Sequence, residues 1–266
     1  MVDEIDIITG ANGFIGSTLK KEFPKESLIL LSRQAIKDQD YRYIQFNIKE
    51  NLDLLVPKDI KVNTVFHLAH DFSNKQINRR NINLLGVENL IKFCKLRNAK
   101  LVYVSSFMAV PAKSKYGKTK LECEELVRTY TNSVIIRPPV VVNDQGGIFN
   151  TINNLFKYLP FFLIPGSGEY NMYSIKVANL AKFIAKTKEI NFSEIIYAYD
   201  TGPINFIKML EVKNKFLIKV PIFILRILLY IPRIFGFKLK SISNDGLDTL
   251  VSMPILNFKH KKYTEF

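Results

Sequence analysis

The chain has 266 residues, 47% of them hydrophobic and 23% charged, with a formal net charge of +14. That length and balance suffice for a full-sized buried core and exclude a disordered, collagenous or low-complexity chain; no internal repeat is visible. The charge suits an anionic partner such as a nucleotide, a diphosphate, a membrane surface or nucleic acid, or else reflects a general taste for Lys, Asn and Ile. The lysines are scattered and not interleaved with aromatic residues, so the second reading is preferred and nucleic acid is not expected.

Met1-Val2-Asp3-Glu4 shows neither a basic n-region nor an apolar h-region, so the cytoplasm is the expected compartment. Ile5-Asp6-Ile7-Ile8 reads as a strand and Thr9-Gly10-Ala11-Asn12-Gly13-Phe14-Ile15-Gly16 as a glycine turn. Phe14, Ile15, Leu19 and Phe23 then recur at helical spacing up to Pro24. In such a unit Gly10 permits a sharp turn, Gly13 lets backbone amides approach a pyrophosphate, and Gly16 lets the helix pack closely on the strand. The helix start adds its free amides and partial positive charge.

This loop resembles the cofactor loop of the short-chain dehydrogenase/reductases, specifically the extended nucleotide-sugar epimerase/dehydratase branch, with the spacing G-x-x-G-x-x-G. The resemblance implies an α/β fold: a Rossmann-like doubly wound parallel sheet with a small C-terminal substrate-binding region. Residues 1–140 would form the NAD(P)-binding domain, and residues 141–266 the substrate-binding region, partly interleaved with the sheet. Gly10, Asn12, Gly13, Phe14, Ile15 and Gly16 would hold the cofactor.

Ser27 to Leu31 is the second predicted strand. An acid after it would select NAD by bonding the ribose 2′-hydroxyl, but Ser32-Arg33 stands there instead. A hydroxyl and a forked guanidinium suit a 2′-phosphate, which points to NADP with NAD as the alternative. Tyr43 to Asn47 is the third strand. Val62 to Leu68 is the fourth, and its end, His67-Leu68-Ala69-His70, resembles the family's H-L-A-A turn, so Leu68 and Ala69 would line the cofactor while His70 adds bulk. His67 and His70 lack a third ligand, so no metal is expected. A long helix follows from Ile82. Asn83 matches the asparagine of the family's N-V-x-G-T pattern, where it would support the active-site geometry behind the lysine, and Gly86 matches the glycine. Cys94 in this helix and Cys123 further on sit in apolar patterns, so a disulfide framework is not expected.

Leu101 to Ser106 is an apolar central strand with two serines at its carboxyl end, where ligands bind in open α/β sheets. By resemblance Ser106 is the substrate-binding hydroxyl. Ten residues on comes Tyr116-Gly117-Lys118-Thr119-Lys120. Residues i and i+4 share a helix face, so the Lys120 ammonium would lower the pKa of the Tyr116 phenol and prepare it for proton exchange. By resemblance Lys120 would also contact the nicotinamide ribose. Val134 to Val140 carries the R-P-x-x-V turn of the branch, and Pro138 and Val140 would floor the nicotinamide.

Farther along, Ile148 to Tyr158 reads as a helix, Phe161 to Ile164 and Ile195 to Tyr199 as strands, and Ser174 to Ala181 as the start of a helix with Asn179 as a capping residue. Nearly every residue between Lys215 and Lys240 is apolar, and the cations Lys219, Arg226 and Arg233 recur every seven residues as on a helical stripe. Its longest uncharged runs are too short to span a bilayer, which needs about 20 residues. It is either a helix packed on the substrate region, the preferred reading, or a helix lying on a membrane surface.

The resemblance implies an NAD(P)-dependent oxidoreductase or epimerase acting by hydride transfer on a nucleotide-diphosphate sugar, in surface polysaccharide precursor synthesis. The absent acid after strand two suits an exchangeable NADPH, hence a 4-keto-sugar reductase ahead of a 4-epimerase. Phe107-Met108 after Ser106 leaves no acid–base pair for dehydration. A homodimer is compatible with this reading. The competing reading is a non-catalytic NAD(P)-binding scaffold or regulatory protein of the same fold.

Overall fold

Nearly uninterrupted Ile, Leu and Val runs form the central strands in the computed structural model, which describes residues 4–34, 40–73, 75–77, 79–143, 160–190, 193–209, 216–227, 247–248 and 251. In chain order the strands are β1 (Ile5–Thr9), β2 (Leu28–Ser32), β3 (Arg42–Gln45), β4 (Val62–His67), β5 (Gln76–Ile77), β6 (Arg80–Asn81) and β7 (Lys100–Val104). They continue with β8 (Ser133–Arg137), β9 (Val140–Val142), β10 (Phe161–Pro165), β11 (Asn171–Lys176), β12 (Glu194–Tyr197), β13 (Thr201–Asn205) and β14 (Phe216–Val220). Seven of them make one parallel sheet in the order β12-β8-β7-β4-β1-β2-β3. Chain order reverses between β1 and β4, which opens a crevice beyond their carboxyl ends.

Alternation along the strands feeds two cores, one on each face. Leu101 and Tyr103 pack with Leu90, Phe93 and Cys94 of helix α2 (Ile82–Arg97) and with Cys123 and Val127 of helix α3 (Lys115–Val127). Val102 and Val104 pack with Leu19 of helix α1 (Gly16–Leu19) and with Leu180 and Ile184 of the helix Val177–Lys186. Both faces are covered, which is why these strands carry apolar residues at nearly every position. β12, from the C-terminal half, closes one edge of the sheet, so the two halves of the chain are interleaved. Both cysteines are buried and unpaired.

The structure departs from the sequence reading in several places. The α1 segment is helical for four residues only and continues as a 3-10 turn, Lys20–Glu22. The third strand is Arg42–Gln45, slightly earlier than expected. Residues 174–176 complete β11, and the next helix is capped at Lys176; Asn179 lies inside it and donates to Asp200 Oδ2 at 2.9 Å. Residues 216–220, expected as helix, pair in parallel with β10, and Pro221 separates them from helical residues 222–227. Lys219 and Arg226 therefore do not share a helical stripe. A Phe-Leu-Ile run closed by proline favours the extended state over the heptad pattern. The expected helix at Ile148 to Tyr158, and residues 228–240 of the apolar segment, lie outside the described residues. Among the described residues no helix is long and apolar enough to cross a membrane.

Candidate active site

A cavity of about 840 Å³ occupies the crevice at the carboxyl ends of β1 and β4. Its floor is the glycine loop: Gly10, Asn12, Gly13, Phe14, Ile15 and Gly16 all line it. Gly10 has φ +71°, and a Cβ there would lie 2.8 Å from the Ala69 amide nitrogen; a Cβ on Gly16 would lie 2.3 Å from the Gly10 carbonyl oxygen. Both positions therefore require glycine, one for its conformation and closeness, the other for closeness alone. Gly13 is less constrained, and its amide donates to the Gly10 carbonyl at 2.9 Å. The amides of Phe14 and Ile15 donate to no described residue, which leaves them for an anionic ligand at the helix start. The loop thus fits a dinucleotide pyrophosphate.

At the far end of the cavity Ser32 is buried, and its hydroxyl accepts from Asn12 Nδ2 at 2.8 Å and donates to the Gln34 carbonyl at 2.8 Å, with the Tyr43 hydroxyl also in contact. Ser32 is thus a hub that shapes the turn. Arg33 is 69% exposed along its side chain and meets Asp71 Oδ2 at 3.4 Å. So long and exposed a pair is worth at most a fraction of a kcal/mol, and the guanidinium remains able to turn toward a phosphate. Asp71 itself is held by Asn83, whose Oδ1 accepts from the Asp71 amide at 2.7 Å and whose Nδ2 donates to the Asp71 carbonyl at 3.0 Å. Asn83 therefore clamps the Leu68–Phe72 wall of the cavity.

That wall brings Leu68, Ala69, His70, Asp71 and Phe72 to the site. His67 is buried, bonds Thr9 through Nδ1 at 2.7 Å and stacks on Tyr103. Burial, with the Lys120 cation nearby, pushes His67 down to about 3 and His70 far below the usual histidine range, so both rings are neutral. No group of three metal-ligating side chains occurs among the described residues.

The opposite wall is α3, started by Ser114, whose hydroxyl accepts from the Gly117 amide at 2.9 Å. Tyr116 and Lys120 share a face of this helix and both line the cavity. The Tyr116 ring stacks on Phe72 with centroids 5.7 Å apart and meets the edge of His70 at 5.1 Å. Lys120 is buried; its Nζ donates to the Val104 carbonyl at 2.8 Å and lies 5.9 Å from the Tyr116 ring centre and 4.9 Å from that of Tyr103. Burial pulls its ammonium down to about 8, against the opposing pull of Cys123 and Glu124. Lys120 is thus cationic below about pH 8 and neutral above. Where turnover requires the cation, kcat/KM is expected to fall about tenfold per pH unit on the alkaline side. A profile flat across that range would contradict the role given to Lys120.

One turn beyond Lys120 is Glu124, for which the sequence offered only a match to a helix pattern. Its carboxylate accepts from Arg137 Nε at 3.0 Å and Nη2 at 2.5 Å and from the Ser105 hydroxyl, while Arg137 also donates to Tyr197. All four groups are buried. Glu124 ties the Tyr116–Lys120 helix to β8, β12 and the end of β7. Its i, i+4 relation to Lys120 was the available signal.

Of the serine pair, Ser105 lines the cavity and Ser106 does not. Ser106 is turned to cap the 3-10 turn Phe107–Ala109, its oxygen accepting from the Met108 amide at 3.2 Å. Pro138 is buried away from the cavity, and Val141 lines it where Val140 was expected. Val140 and Val141 are neighbours on β9 and face opposite ways, so only one can reach the cleft.

A doubly wound sheet with this loop, cleft and Tyr–Lys helix is that of an extended short-chain dehydrogenase/reductase. Residues 6–157 match the family described as RmlD substrate binding domain, and the chain belongs to that family. Solved structures share the fold. ADP-L-glycero-D-manno-heptose-6-epimerase of Helicobacter pylori is 17% identical, with a TM-score of 0.65 over 82% of this chain and 86% of that one. dTDP-glucose 4,6-dehydratase of Bacillus anthracis, solved with NAD, is 14% identical, with a TM-score of 0.67 over 94% and 96%. A hypothetical dTDP-4-dehydrorhamnose reductase of Sulfolobus tokodaii is 16% identical, with a TM-score of 0.60 over 81% and 85%. A comparison with curated proteins finds no match.

Proposed function

We propose that the protein is an NADP-dependent reductase of a 4-keto sugar carried on a nucleoside diphosphate. The observation that carries this reading is the meeting of the glycine loop with Tyr116 and Lys120 in one cavity. When bound, the dihydronicotinamide supplies a hydride to the ketone carbon. Tyr116 gives its phenolic proton to the ketone oxygen, so that the product is a secondary alcohol. The Lys120 ammonium stabilises the phenolate left behind and holds the nicotinamide ribose. The family resemblance assigns the ketone-polarising hydroxyl to Ser106; it is not among the residues that line the described cavity, and its oxygen accepts from the Met108 amide, but its own proton has no acceptor among the described residues. The Ser105 proton, by contrast, is committed to Glu124. Asn83 supports the site through the Asp71 wall. The family match, and fold relatives named as reductase, epimerase and dehydratase of nucleotide sugars, support a nucleotide-sugar substrate.

Reduction is favoured over dehydration because Phe107 and Met108, the residues after Ser106, are buried and apolar and offer no second acid–base pair. It is favoured over epimerisation because Arg33, without a strong partner among the described residues, suits NADPH that enters and leaves. Arg33→Ala is therefore expected to raise the Kd for NADPH about tenfold or more and to change that for NADH little, measured by fluorescence titration. A wild-type preference for NADH would remove the NADP assignment. Turnover of a nucleoside-diphosphate 4-keto-hexose with NADPH tests the activity. Saturable NADPH binding without turnover on any sugar nucleotide would instead support a scaffold.

A further inference from the structure

Parallel strand pairs are normally covered on both faces. Among the described residues the β10–β14 pair is not: Phe216 is 80% exposed, and Leu217 and Ile218 beside it are exposed as well. After Pro221, residues 222–227 make a helical stretch that buries Leu225 and presents Phe223 and Ile227, 64% and 56% exposed and one turn apart, with Ile224 between them. Six large apolar side chains thus face outward within twelve positions, where a soluble surface ordinarily scatters such residues singly.

The charge of the sequence flanking these residues indicates what covers them. From residue 208 to residue 240 the sequence carries eight Lys or Arg and a single acid, Glu211. Lys219 and Arg226 stand within the patch itself. Each has a carboxylate neighbour, Glu169 and Asp248 respectively, in a pair whose cation is at least half exposed. Such pairs are weak and leave the cations able to reach phosphate. A second copy of the chain would bring the same cations against one another across a two-fold axis, which is unfavourable. An anionic lipid surface offers apolar depth for outward side chains such as Phe216, Phe223 and Ile227 and phosphates for the cations, and it requires no spanning helix.

We propose that β14 and residues 222–227 form a docking face for an anionic lipid bilayer, with Phe216, Phe223 and Ile227 entering the headgroup boundary and Lys219 and Arg226 at the phosphates. This is independent of the reaction assigned to the cleft, which lies on other elements. The test is flotation of the full chain with vesicles of phosphatidylcholine, with and without phosphatidylglycerol. The full chain is expected to float with the phosphatidylglycerol vesicles, at least tenfold less with phosphatidylcholine alone, and progressively less as salt is raised. The double variant Phe223→Ser/Ile227→Ser is expected to lose at least tenfold in partitioning while still binding NADPH. Should that variant fail to fold, Phe223→Trp supplies a second readout, because the chain contains no other tryptophan. Its emission is expected to shift to the blue on anionic vesicles. Absence of flotation, an unshifted emission, or a wild-type dimer that Phe223→Ser/Ile227→Ser converts to a monomer would each overturn the proposal.

Discussion

Tyr116→Phe is expected to lower kcat by about 10²–10⁴-fold while leaving the Kd for NADPH within a few-fold of wild type. The substitution removes one oxygen and keeps the ring. That ring is held between Phe72 and His70, so the wall of the cleft keeps its shape and the glycine loop, on the other side, is untouched. What is lost is the proton that must reach the reduced oxygen. Water can replace it only poorly, because the histidines on this wall are neutral and the Lys120 ammonium is committed to the Val104 carbonyl. Steady-state turnover and NADPH fluorescence, measured on the same preparation, separate loss of chemistry from loss of binding. Turnover that survives the substitution would remove Tyr116 from the mechanism.

Glu124→Gln is expected to cost about 3–5 kcal/mol of stability, a fall in Tm on the order of 10 °C. Glu124 is 1% exposed and neutralises Arg137, itself buried on β8. The amide cannot accept two charge-assisted bonds and the Ser105 proton together, and it leaves a guanidinium uncompensated in the interior. Removing both charges, in Glu124→Gln/Arg137→Met, is expected to recover much of the loss, because the cost lies in the orphaned charge more than in the missing pair. Thermal unfolding of the two variants beside wild type provides the measurement. If Glu124→Gln and the double variant unfold alike, the pair is not the element that fixes α3 to the sheet.

The glycine loop, the central strands and the Tyr116–Lys120 pair were legible in the sequence because each depends on local geometry. A turn needing positive φ selects Gly10, a strand covered on both faces selects runs such as Leu101 to Val104, and one helical turn sets Tyr116 above Lys120. What escaped depends on partners far along the chain. Whether Ser105 or Ser106, or Val140 or Val141, faces the cleft is decided by strand register, and a one-residue change exchanges the two faces. The Arg33–Asp71 and Glu124–Arg137 contacts join residues 38 and 13 positions apart, and no periodicity encodes them. Residues 216–220 were misread for a related reason. The seven-residue recurrence of Lys219, Arg226 and Arg233 imitates a helix, whereas pairing with β10 settles the strand.

Hydride transfer itself is the central claim, and label transfer tests it most directly. The wild-type protein would be incubated with NADPH deuterated at the nicotinamide C4 position and a nucleoside-diphosphate 4-keto-hexose, and the sugar product analysed by mass spectrometry. The account predicts one deuterium on the sugar carbon that bore the ketone, with stoichiometric NADP+. Bound NADPH that never transfers its label to any such sugar would contradict it.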